Sequence, residues 1–254
     1  LVLPGCGSAF GSNDSGGGTA PPGDPVKEDA DALIDEGRQT FRFETFGDEA
    51  FWGDTLRLHE AIAGAAQGGV GPGLSPAQAL ALGLKVDSEA LDAGLRDAIT
   101  RGQVDLQDPA TTIELLRRES VVGVKGIFDG FGNMQSVGIQ CALWHTTVDD
   151  SFLPGLGRRL DGWANRDLDV GSIIALAPNL APVAGLLGTD EDTVRTVLHG
   201  WGPGKFDAEI FLDGKAFAPR GASAATLIPP AFGMGGVNLH TWTGWGSATY
   251  WNAF

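Results

Sequence analysis

The sequence predicts a mainly α domain with long structured loops and little β. Apolar residues recur at three- and four-residue spacing in several separate windows. Residues that favour helix starts stand before most of them. The 39 glycines and 14 prolines among 254 residues then cut the pattern into short pieces. With 43% hydrophobic residues, the chain can fill a core.

Taken in order, "GSAFGSNDSGGGTAPPGDP" (7–25) is Gly/Ser/Pro-rich and reads as a tether, so folding is expected to begin near Lys27. The expected organisation is a tether over 1–26 and one domain over 27–254. Ala30, Leu33, Ile34, Gly37 and Phe41 place one apolar stripe on a first helix. A second helix is expected over 48–63, with Phe51, Thr55, Leu58 and Ile62 on one face and Asp48 and Glu49 in the first turn. The glycines of 64–73 end it, and Ser75-Pro76 starts another short helix. Ser88 is the expected N-cap of a helix carrying Leu91, Leu95 and Ile99, and Asp108-Pro109 opens one that buries Ile113 and Leu116. "VVGVKGIFD" (121–129) is β-branched and fits a short strand or hairpin. The run 189–192 reads as a capping box before Val194, Val197 and Leu198, with Gly200 as the stop. No repeat of fixed period occurs.

Charge narrows the function classes. The 17 basic and 32 acidic residues give a net charge of −15, which repels nucleic acid and anionic head groups. No nucleic-acid partner is expected. No apolar run reaches the roughly 18 residues needed to span a membrane. The opening "LVLPGC" nevertheless has the form of the end of a bacterial lipoprotein signal, with Cys6 as the residue to be acylated. The expected localisation is export to the periplasm or outer membrane, with membrane attachment through lipid on Cys6.

The chemistry concentrates in "VGIQCALWH" (137–145). It comes within one letter of Cys-x-x-Cys-His, the signal for covalent haem attachment, with Trp144 where the second cysteine would stand. Residues i, i+3 and i+4 share a helix face, so Cys141, Trp144 and His145 can meet one flat ligand. The thiol can form one thioether, the imidazole can bind iron, and the indole can pack on a porphyrin edge. The Cys–His spacing alone is weak support.

The surroundings add to it. "FRFETFGDEAFWGDTLRLHEAI", the stretch from 131 to 180 around the motif, and "LIPPAFGMGGVNLHTWTGWGSATYWNAF" resemble bacterial exported c-type cytochromes of the di-haem, peroxidase-like family, over about 37–254. The resemblance implies a cytochrome c-like domain binding haem c at Cys141 and His145, by a single thioether or non-covalently. It places Trp144 at the family's second haem cysteine. It also implies continuation into a second haem domain, to which any peroxidase-like activity would belong, leaving this portion to pass electrons to an unidentified redox partner.

For the sixth iron ligand the glycine-flanked "FGMGGVNLH" favours His240 or Met234 over His59, while Met134 lies too near the motif. Gap filling by Met234 and a turn hydrogen bond by His240 stay open beside that reading. Arg158 and Arg159 are candidate partners of haem propionates, or a solvated pair. Trp163, Trp242, Trp245 and Trp251 could wall a macrocycle or simply fill core. Asp149, Asp150 and Asp161 are too scattered for paired-carboxylate catalysis, and His199 suits a helix C-terminus. No nucleophile elbow, phosphate loop or dinucleotide fingerprint occurs. Two rivals remain: a haem-less degenerate domain acting as a binding or scaffold module in an exported assembly, and non-haem metal binding by His59, His145 and His240.

Overall fold

The computed structural model describes residues 24–207 and 225–232. Contacts divide the chain into two units, residues 1–37 and 38–254. Helix α1 (Pro25–Phe43) starts in the first unit and ends in the second. Its residues up to Gln39 are all exposed, and its last turn is half-buried.

In the second unit the expected helix over 48–63 is broken, a correction with a visible cause. Residues Ala50–Thr55 form a π turn in which Leu56 N–H reaches Phe51 O, five residues back. Arg57 then takes a left-handed conformation (φ 58°), and α2 (Leu58–Ala63) starts afresh. The π turn lies against the strand carrying Ser136, where a Cβ on Gly53 would overlap the serine hydroxyl. A regular helix would turn its side chains out of that contact.

Helix α3 (Pro76–Ala81) has the expected start, reciprocal hydrogen bonds between Ser75 and Gln78 forming a capping box. Strand β1 (Val86–Asp87) leads into a 3₁₀ turn at Ser88–Ala90, so the N-cap of α4 (Ala93–Thr100) is Asp92 rather than Ser88. Helix α5 (Pro109–Arg117) starts at Asp108-Pro109 as read from sequence and buries Ile113 and Leu116. Strands β2 (Val124–Phe128) and β3 (Met134–Ile139) form an antiparallel hairpin.

The chain then makes one helical turn, α6 (Cys141–His145), and leaves through β4 (Thr146–Val148). Strand β5 (Leu156–Gly157) pairs in parallel with β1, and β6 (Arg159–Asp161) pairs antiparallel with β4. Helices α7 (Val170–Ala175), α8 (Ala181–Leu187) and α9 (Glu191–His199) pack together, with α9 capped by Asp190 rather than Thr189. Strands β7 (Lys205–Phe206) and β8 (Thr226–Leu227) form the last pair among the described residues.

Four two-stranded pairs among the described residues correct the expectation of a mainly α chain: the class is mixed α and β. Strands of two to six residues are too short for alternation of period two to stand out in sequence.

The core draws on nearly every element, from Leu56, Leu58 and Ile62 through Leu116, Val137 and Leu143 to Leu168, Val194 and Trp201. Two buried cations brace it. Arg159 pairs with Asp87 at 2.7 Å, its guanidinium over the Phe43 ring, and Lys85 pairs with Asp167 at 2.6 Å. Beneath α6, Gly123 (φ 77°) accepts a hydrogen bond from Gln140 N–H. A Cβ there would overlap the backbone of Leu143.

Gly123→Ala is therefore expected to cost about 3 kcal/mol or more in urea unfolding, from left-handed strain plus displacement of α6. Gly130→Ala, where a Cβ meets open space, should change stability by less than about 0.5 kcal/mol. Equal effects of the two substitutions would refute the packing argument.

Candidate functional site

Five residues make a helix too short to hold itself, so α6 is fixed from outside. Gln140 N–H bonds Gly123 O at its entry, and Leu143 N–H closes back on Gln140 O. At its exit, Asn165 N–H takes Trp144 O (2.9 Å) and Gly162 N–H takes His145 O (2.7 Å). Thr146 follows, fully buried, with its hydroxyl on Asp161, which also pairs with Arg42.

The turn carries the three motif residues as the sequence placed them. Cys141 is a half-buried free thiol. Burial pushes its pKa up and the neighbouring Asp48 charge adds to this, so the thiol is protonated at neutral pH. His145 is half-buried, and Nδ1 lies 2.9 Å from Pro229 O. A carbonyl only accepts, so this contact places the proton on Nδ1 and leaves Nε2 with the lone pair. Burial lowers the pKa of His145, with the Pro229 bond opposing it, so the ring is neutral above its ordinary value of 6.5. Trp144 packs at 4.7 Å on Phe206, which meets the buried Trp201 edge-on at 5.6 Å.

Three neighbours escaped the sequence reading. Pro229 is foreshadowed only by the Pro-Pro pair in "LIPPAF". Phe206 lies 62 positions from the tryptophan it touches, with no local signal. Asp48 was read as a first-turn acid, yet its carboxylate accepts from Ile139 N–H (3.1 and 3.2 Å) and from Trp52 Nε1 (3.0 Å). Burial, together with the Glu49 charge and against those hydrogen bonds, raises its pKa to about 6.

The remaining candidates are dispersed. Met234, His240, Trp242, Trp245, Trp251 and Cys6 lie outside the described residues. His59 sits half-buried on α2, its pKa lowered by burial and its Nδ1 without a hydrogen-bond partner. Met134 is buried in β3. The two arginines are already engaged: Arg158 with Asp149 at 3.0 Å, and Arg159 with Asp87 and Glu119 O. Hydrogen bonds from Ser151 and Arg158 hold Asp149 well below the usual carboxylate range. His199 ends α9 within 3.1 Å of Ser172 Oγ. Trp163 is exposed and stacks obliquely on exposed Phe232 at 5.2 Å.

Among the described residues, no three His, Cys, Asp or Glu side chains converge as a metal site. Two aliphatic cavities, of about 30 and 40 Å³, are lined by residues of α3, α5 and their neighbours and not by the α6 turn. No described helix is long and apolar enough to cross a membrane. Comparison with family models, curated proteins and solved structures finds no match to this chain.

Asp48 supplies a pH test of this geometry. Its carboxyl titrates near 6 when folded and near 3.8 when unfolded, so the fold favours the protonated acid. That contribution is complete below the unfolded value and is lost as pH rises through the folded one. Asp48→Asn should therefore gain stability relative to the parent as pH rises from about 4 to about 7, read as the urea midpoint difference. A difference that stays flat across this window would show a solvated carboxylate.

Proposed function

We propose that this chain binds one haem at the Cys141–His145 turn and passes electrons, as part of an exported, lipid-anchored cytochrome of the c type. One observation carries the reading: the proton of His145 is held on Nδ1 by Pro229 O at 2.9 Å, on the same short turn as the Cys141 thiol. Metal-binding histidines commonly donate their other ring nitrogen to a carbonyl in this way, which fixes ring orientation and strengthens the ligand. Burial keeps the ring neutral, the form that binds a metal.

These residues fit a haem with one covalent anchor or none. His145 would hold the iron through Nε2. Cys141 would add its sulfur and hydrogen across one vinyl group, with no atom lost. Trp144 would offer only a packing surface. The group supplies reversible one-electron chemistry when bound. Either Met234 or His240 would complete the coordination, and the cytochrome c-like fold belongs to the same proposal. Arg158 and Arg159 would meet propionates only by giving up Asp149 and Asp87, and this disfavours the buried Arg159 in that role. Peroxidase-like chemistry would require the second haem domain that the sequence resemblance implies.

A second reading rests on Trp144. Its indole stacks on Phe206 where a second thioether would stand, which suits a haem-less domain serving as a scaffold.

Expression with a haem-maturation system separates the two. The haem reading expects a Soret band, one haem per chain, and a reduced α band shifted to the red by the unsaturated vinyl group. Acid-acetone extraction reports whether the bond to Cys141 has formed. His145→Ala should abolish the low-spin spectrum, and Trp144→Cys should shift the α band back to the blue. A colourless parent beside a coloured Trp144→Cys variant establishes the scaffold reading, and two colourless proteins end the haem assignment.

A further inference from the structure

Helix α1 presents a second feature, independent of the α6 turn. In the first unit, residues 25–37 place Val26, Ala30, Leu33, Ile34 and Gly37 within one quarter to one third of the helix circumference. Val26, Leu33 and Ile34 are 75%, 68% and 58% exposed. Spacings of four, three and four link Val26, Ala30, Leu33 and Gly37, the pattern of a helix seam rather than of scattered surface residues. Ala30 and Gly37 are small and admit close approach of a second backbone.

The charges beside this seam select its occupant. The same segment carries Glu28, Asp29, Asp31, Asp35 and Glu36 against a single cation, Lys27, which is ion-paired with Asp31. On a helical projection, Asp29 and Glu36 border the stripe on one side and the Lys27–Asp31 pair on the other. A second copy would bring the same carboxylates to its own seam. An anionic lipid surface would be repelled.

We infer that the exposed face of residues 25–37 docks a basic amphipathic helix of a partner protein, with apolar side chains in the seam and Lys or Arg against Asp29 and Glu36.

Fluorescence anisotropy on the whole protein tests this with two synthetic helical peptides, both carrying Leu at heptad positions a and d. One has Lys at e and g, and the other has Glu there. The basic peptide should bind with an affinity that falls as salt rises, and the acidic one should not. Leu33→Asp with Ile34→Asp should weaken binding about tenfold or more, because the seam is lost. Asp29→Lys with Glu36→Lys should invert the preference, a result that loss of folding would not produce. Equal binding of both peptides, binding of neither, dimerisation of the protein through this seam in sedimentation, or preferential adsorption to phosphatidylglycerol vesicles would each overturn the inference.

Discussion

The candidate site depends on backbone hydrogen bonds that reach a turn of five residues from distant parts of the chain. Helix nucleation is unfavourable, and a single turn closes too few bonds to offset it. The α6 turn persists because Gly123 lies under Leu143 and because Gly162 and Asn165 satisfy its last carbonyls. Gly162 also accepts from Ala231 N–H, so the segment bearing Pro229 is tied to the same loop that caps His145. The imidazole is thus oriented by a strap more than 80 residues away in sequence.

Buried charge reinforces that arrangement from the other side. Arg159 leaves the solvent to meet Asp87 and the face of Phe43, joining the β4–β6 pair, the β1–β5 pair and the end of α1. Removing one partner of such a pair leaves an uncompensated charge, the costly case at about 3–5 kcal/mol. Arg158, its neighbour in sequence, is exposed, pairs with half-buried Asp149 and belongs to the weak class of surface pairs. Two adjacent arginines that look alike in sequence thus have different tasks.

Legibility followed the range of the interactions. Local signals were readable: the capping box at Ser75, the Asp-Pro opening at 108–109, the hairpin strand at 121–129 and the shared face of Cys141, Trp144 and His145. Failures began where a tertiary contact overrode the local pattern. The apolar spacing over 48–63 is helical, yet Gly53 must approach Ser136, and the chain adopts a π turn and a left-handed residue instead. The cap of α4 is Asp92 rather than the expected Ser88 because a 3₁₀ turn at Ser88–Ala90 comes first, and the cap of α9 is Asp190, one residue beyond the expected Thr189. Pro229, Phe206 and Asp48 complete the candidate site from 84, 62 and 93 positions away from the residues they serve, beyond any short-range motif.

For the proposed haem reading, the separation between what holds the imidazole and what a second cysteine would supply bears on Trp144, one letter away from Cys-x-x-Cys-His. A thioether tethers a macrocycle by raising its effective concentration at the iron ligand, whereas the ligand's tautomer and orientation come from elsewhere. In this chain the tautomer and orientation of His145 come from Pro229 and the Gly162–Asn165 loop, none of which involves residue 144 beyond its backbone carbonyl. If haem binds as proposed, an indole in place of a second thiol would cost an anchor without costing the imidazole, and Trp144 already packs on Phe206. Under the proposed haem reading, such a site would lose covalent attachment while keeping its oriented imidazole, so attachment and coordination would be separate properties of one helical turn.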